Sequence, residues 1–195
     1  MRELVVFPLS VVLTLGFVSS SRAQEQELTP NPGAWRPLVQ SDLKIELPDN
    51  LTYIDIWKDA ITANNHAYDA KGAPRAAGEN APATDAHVVV RGSQRTIVLT
   101  TLDTELACKP APFPRTVGVT IKLCPTRLVI FEGALSSRKE LPPSCYLEVD
   151  SAMSPDPSAD ASYAAYDIAT KTIKTGVIAD HQVVDECARF VPISP

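Results

Sequence analysis

Apolar and polar residues alternate most cleanly at 117–123. There Val117, Val119, Ile121 and Leu123 are interleaved with Gly118, Thr120 and Lys122. Successive side chains of a strand point to opposite faces, so this segment predicts a strand with one face in a core and one in water. Leu43, Ile45 and Leu47 alternate with Lys44 and Glu46 in the same way and predict a short strand ended by Pro48. His87–Val90 and Thr96–Thr100 flank the turn at 91–95 and predict a hairpin. Leu128–Phe131 is apolar on both faces and predicts a central strand, and Tyr146–Val149 another. Tyr166–Ile168 and Thr172–Lys174 bracket a hairpin turn at Ala169-Thr170-Lys171.

One stretch has the helical period. Leu51, Ile54, Trp57 and Ile61 recur at three- and four-residue spacing through to Ala63, after Asp49 or Asn50 as a candidate N-cap. Val183, Val184, Cys187 and Val191 fit either a helix capped by Asp180 or an edge strand ending at Pro192. The sum is a mainly β, β-rich α+β fold: an antiparallel sheet or β-sandwich with one or two short helices.

Residues 64–85 are rich in Ala, Asn, Gly, Pro and Asp and nearly lack large apolar side chains. Such composition offers little burial to offset ordering entropy and predicts a flexible loop. A second polar, proline-bearing loop is expected from Asp150 to about Ala161. Residues 24–42, with Pro30, Pro32 and Pro37, predict an extended N-terminal arm in which Trp35 is the one large apolar side chain.

The first 23 residues change the picture of where the chain works. Arg2 precedes an apolar stretch from Leu4 to Val18, and Ser21 and Ala23 stand at the −3 and −1 positions of a cleavage site before Gln24. The stretch is shorter than the roughly 20 residues needed to cross a bilayer. The expected organisation is a signal peptide at 1–23, the arm at 24–42 and a single β-rich domain at 43–195. The expected localisation is periplasmic or secreted, with no stable membrane insertion after cleavage. Losing Arg2, Glu3 and Arg22 takes the net charge from −5 to −6. No basic stripe or cluster is present, which argues against nucleic acid as a partner.

All four cysteines, Cys108, Cys124, Cys145 and Cys187, follow the leader. An even count in an exported chain predicts two disulfides, and the spacing lacks the close pairs of a zinc site. Three pairings are possible. The preferred one is Cys108–Cys124 across the proline-rich turn and Cys145–Cys187 tying the C-terminal segment to the sheet.

Candidate chemistry is sparse. Ser136-Ser137-Arg138-Lys139 and Lys174-Thr175-Gly176 resemble the SxxK and KTG elements of penicillin-binding proteins and serine β-lactamases, in which the serine is acylated. That family needs its serine at the start of a buried helix, and here the segment runs into Leu141-Pro142-Pro143. The three histidines, His66, His87 and His181, are scattered. Asp180, His181 and Asp185 form the one place where a histidine sits among carboxylates, and they are the candidate catalytic residues; a structural reading makes Asp180 a helix cap. Asn50-Leu51-Thr52 matches a glycosylation acceptor. No cofactor or metal site is expected. The reading is a non-enzymatic exported domain that binds a protein or glycan partner through loops on a rigid sheet, or is associated with the envelope. The alternative is a small extracytoplasmic hydrolase built on His181.

Overall fold

The computed structural model describes residues 36–112, 118–150, 160–167 and 169–193. The chain runs β1 (Arg36–Pro37), β2 (Val39–Asp42), α1 (Leu51–Ile56), α2 (Lys58–Ala70), β3 (Thr84–Arg91), β4 (Thr96–Asp103) and β5 (Lys109–Pro110). It continues through β6 (Val119–Glu132), β7 (Leu135–Val149), β8 (Ala161–Asp167), β9 (Thr172–Ala179), β10 (Gln182–Val183), a 3-10 turn (Asp185–Cys187) and β11 (Arg189–Pro192). The mainly β reading holds. The larger sheet has the order β2-β3-β4-β6-β5 with β7 also on β6, and the smaller has β1-β8-β9-β10 with β11 also on β9. Every described pairing is antiparallel.

The two helices and the smaller sheet cover opposite faces of the larger one. Val88, Val90, Ile97, Leu99 and Leu128 pack on Ala164, Ile173, Val191 and Ile193 between the sheets. On the other face Val89, Val98, Leu102 and Val129 meet Tyr53, Ile56, Trp57 and Ile61 of the helical segment. Burial on both faces is why β3 and β4 read as apolar runs rather than alternations. The helix expected from residue 51 forms, interrupted at Trp57, whose backbone lies outside helical values. Its buried face is carried by Tyr53, Ile56, Trp57 and Ile61, while Leu51 is exposed.

The two disulfides are Cys108–Cys124 and Cys145–Cys187, the preferred pairing. The first joins the short β5 edge region to β6. The second fastens the 3-10 turn beside the smaller sheet to β7 of the larger. Two closed bridges fit an oxidising environment. Among the described residues no helix is long and apolar enough to cross a membrane.

Several local expectations are corrected. The strand expected at Leu43–Leu47 ends at Asp42. Leu43 is buried, but Ile45 and Leu47 are about half exposed. The side chain of Asn50 organises this bend: it accepts from the Leu47 amide at 2.9 Å and donates to the carbonyls of Asp42 and Ile45 at 2.7 and 2.8 Å. Asn50 therefore makes no side-chain cap bond to α1. At 2 % exposure, with its amide nitrogen engaged, it is also closed to a glycan.

The loop expected at 64–85 is shorter and better tied than its composition suggests. Residues 64–70 belong to α2, and Thr84 and Asp85 to β3. Between them Arg75 clamps Asp69 through two bonds of 2.8 and 2.7 Å, and Asn80 reaches the Leu43 carbonyl at 2.9 Å. Asn65 accepts from the amide of Ala81, which is buried. Polar side chains here satisfy the backbone and hold the segment where apolar burial does not.

Part of the N-terminal arm is sheet: 36–37 pair with β8 and 39–42 with β3. The expected signal peptide at 1–23, residues 24–35 with Trp35, and most of the expected loop at 150–161 lie outside the described residues. The strands expected at 117–123 and 128–131 are one, β6, joined through an irregularity at Cys124–Thr126 that contains Pro125. Proline has no amide hydrogen for the ladder, so a bulge is where a long strand tolerates it. Residues 135–143 extend β7 along an exposed sheet edge, where Arg138, Lys139, Pro142 and Pro143 discourage further pairing. The C-terminal segment is the 3-10 turn followed by the edge strand β11, not a helix.

Candidate functional site

Asp180 and His181, the first sequence candidates, have φ of 50° and 60°. They form the two-residue turn between Ala179 and Gln182, the cross-strand partners that open β10. Successive positive φ values define the hairpin turn whose twist matches the strands, and Asp is among the side chains that tolerate it. The Asp180 amide donates to the carboxylate of Asp160 at 2.6 Å. Asp185 lies in the 3-10 turn, and all three side chains are exposed. Asp180 is thus a turn residue rather than a helix cap. Ser136 and Lys139 lie on the exposed edge of β7, and Lys174-Thr175-Gly176 lies in β9 of the other sheet. The SxxK and KTG resemblance has no helical serine behind it.

A different histidine has the context of a site. Asp85 and His87, two apart on β3, share the face covered by the helices, and both are at most 2 % exposed. His87 Nδ1 and Asp85 Oδ2 are 2.7 Å apart. Trp57, in the helical segment, sends its indole N–H to Asp85 Oδ1 at 3.1 Å and Thr100 Oγ1 at 2.8 Å. The Thr100 hydroxyl donates in turn to Asp85 Oδ1. Asp85 meets hydrogen-bond partners on both oxygens. A carboxylate facing Nδ1 places the imidazole proton there, so Nε2 of the neutral ring carries the lone pair. The Tyr53 ring stacks on His87 with centroids 3.8 Å apart.

His87 is the floor of a cleft of about 210 Å³. One wall is the whole of β2, Val39 to Asp42, and the other is Leu47, Asp49, Asn50 and Tyr53. The Asn50 bonds that bend residues 42–50 also hold this second wall in place.

Beside the dyad, Arg127 of β6 pins the helices to the sheet. It is 5 % exposed. It donates to Asp59 at 2.8 and 2.7 Å, to the Ile56 carbonyl at 2.6 Å and to Glu140 at 2.7 Å. Its guanidinium lies 4.2 Å over the Trp57 ring. The hydrogen bonds from Arg127 hold the Asp59 carboxyl down at about 2, against the smaller opposing effect of burial. On the other face of the sheet, burial together with the charges of Asp103 and Glu148 pushes the Tyr146 phenol well up. Asp103 also lies near both sulfurs of the Cys108–Cys124 bridge, but a disulfide has no thiolate to offer a cation.

The sequence held one faint signal for this site. Asp85 and His87 are polar at alternate positions of a strand whose other positions are Ala86 and Val88, which marks a polar set on one buried face. What completes the set, Trp57, Thr100 and Tyr53, comes from distant segments.

Fold and cleft together define a two-sheet β domain with one helix-covered face and a His–Asp pair beneath a groove at its edge. No protein-family model matches the chain, and no match was found among curated proteins or solved structures.

Proposed function

We propose that the protein is an exported, non-enzymatic binding domain whose recognition surface is the cleft between β2 and the segment 47–53. The observation that carries this reading is the buried Asp85–His87 pair at the cleft floor. Buried polar groups are retained at an energetic disadvantage unless fully bonded. Here Asp85, Thr100, the Trp57 indole and His87 Nδ1 are all bonded, and His87 Nε2 is left for the groove. Concave sites with mostly apolar walls and a few fixed polar groups are the usual form of a ligand site. The disulfides and the N-terminal leader support action outside the cytoplasm.

The test is site-specific photocrosslinking in the native compartment. A photoreactive side chain at Leu47 is expected to give a discrete adduct, and the same group at Gln94, on the β3–β4 turn, to give none. Equal or absent adducts at both positions would remove the cleft as the recognition surface.

A second reading, a small hydrolase, draws on the same pair. An Asp-oriented imidazole with its lone pair toward a cleft is the arrangement of a general base. Among the described residues no hydroxyl is hydrogen-bonded to His87, which keeps binding ahead. Hydrolysis of p-nitrophenyl acetate faster than by equimolar imidazole, and lost in His87→Gln, would reverse that order.

A further inference from the structure

The cleft is lined by four consecutive residues of β2. Side chains of a strand alternate between faces, so four in a row share a groove only when it runs along the strand's backbone edge. The hydrogen-bond parity shows what that edge offers. The β2–β3 register pairs Val39 with His87 and Ser41 with Asp85. The Leu43 amide continues it, donating to the Ala83 carbonyl at 2.9 Å. Antiparallel pairs alternate between bonded and non-bonded. Val39, Ser41 and Leu43 therefore turn their peptide groups toward β3, and Leu38, Gln40 and Asp42 turn theirs away. The Leu38 amide accordingly donates across to the Ser162 carbonyl at 2.8 Å, and the Asp42 carbonyl accepts from Asn50 at 2.7 Å. Between these two satisfied ends the N–H and C=O of Gln40 face the groove as a donor–acceptor pair.

Charge selects the occupant. Asp42 and Asp49 line the cleft, and among the described residues no lysine or arginine does. Gln40 also borders a second hollow, on the other face of β2, which is lined by Glu148 and Asp160 and, among the described residues, by no basic side chain. Glu148 already shares Lys122 at 2.8 Å. Val39, Leu47 and Tyr53 supply apolar wall on the His87 side.

We propose that an extended, lysine-bearing segment of a partner protein adds to the edge of β2, exchanging both backbone hydrogen bonds with Gln40. Strand addition of this kind draws affinity from main-chain bonds and specificity from alternate side chains. A lysine opposite Gln40 would lie on the Glu148 and Asp160 side, and apolar neighbours on either side of it would meet Val39 and Tyr53. This rests on the cleft being the recognition surface and names what it recognises.

The test uses the whole leader-free chain, isotope-labelled, with the peptide acetyl-Val-Lys-Val-Lys-Val-amide. Binding is expected to shift the amide resonances of Gln40 and Asp42 and the ring signals of His87. The glutamate counterpart is expected to bind at least tenfold more weakly. So is a version N-methylated at the central valine and both lysines, which removes the amide hydrogens needed for strand pairing. Equal binding of the N-methylated peptide would overturn strand addition while leaving the cleft as a site. Equal binding of the glutamate peptide would overturn the charge argument. Slow amide exchange at Gln40 with no peptide present would show the edge already covered by the chain itself, and would overturn the proposal. Absence of any shift combined with absence of a Leu47 crosslink would remove the cleft reading as well.

Discussion

At the scale of single residues, Thr175 and Asp85 are opposite cases of a buried polar side chain. The Thr175 hydroxyl is buried in the inter-sheet core without a hydrogen-bond partner. It sits between Ile173 and Val177 on the inward face of β9. An unpaired buried hydroxyl costs about 1–3 kcal/mol, so the near-isosteric Thr175→Val should stabilise the protein by roughly 1 kcal/mol. A higher urea midpoint at unchanged slope would show it, and a lower midpoint would mean that the hydroxyl has a partner. Asp85 is the opposite case. Trp57, Thr100 and His87 all converge on its carboxylate, so Asp85→Asn can keep its oxygen for Trp57 and Thr100 only by turning its amide N–H to His87 Nδ1, which forces the ring into the other tautomer. A loss of about 2–4 kcal/mol is expected, in the range for breaking a buried charged network. A variant as stable as the parent would show that the three groups do not depend on the charge.

At the scale of elements, the attachment of the helical segment to the larger sheet runs through Arg127. The Asp59 carboxyl titrates near 2 in the folded chain, below the value of about 3.9 for an unfolded chain. A depressed carboxyl contributes stability above the unfolded value and loses it as pH falls through the folded one. Asp59→Asn should therefore be less stable than the parent at pH 7, and the gap should close between about pH 4 and pH 2. The Asp59 side chain is 56 % exposed, so solvent screening limits the gap to about 1 kcal/mol. Urea titrations of both proteins at pH 7 and pH 2.5 measure it. The segment after α2 makes a second test. With Arg75 clamped by Asp69, trypsin should cut at Lys71 before Arg75, and Asp69→Ala should expose Arg75 to comparable cleavage. Equal rates at both bonds in the parent would remove the clamp.

These elements also show what was readable in the chain. The β3–β4 hairpin was legible as two apolar runs flanking a turn, and the helix from Leu51 by its apolar period, because burial on two faces and on one leave those two patterns. The bend at 43–50 was not, because it depends on Asn50 reaching back to carbonyls five and eight residues earlier. The bounds of the 64–85 loop were not legible, because composition counts apolar surface and its ends belong to α2 and β3, with asparagine and arginine side chains bonding the segment between. His87 was legible only as a strand residue: the partners that give it a role come from α1, β4 and the Trp57 break.

At the scale of the whole molecule, the disulfides have unequal tasks. On the chain-entropy model, closing loops of 16 and 42 residues contributes roughly 3 and 4 kcal/mol. Cys108–Cys124 lies within the larger sheet, whereas Cys145–Cys187 joins the two sheets. The double variant Cys145→Ser/Cys187→Ser should therefore lower the thermal midpoint more than Cys108→Ser/Cys124→Ser, with amide exchange rising first in β10 and β11. The reverse order would place the weaker joint inside the larger sheet. The extended run from Arg36 to Asp42 has a further consequence. Its first two residues pair with 163–164 of the smaller sheet and its last four with 84–87 of the larger. One short ribbon thus stitches both layers. Its β1 end has no partner until more than 120 later residues have been delivered, and such distant closure slows assembly. A chain that emerges from its N-terminus onward must keep this ribbon waiting half-paired, and the smaller sheet can be finished only once the polypeptide is nearly complete.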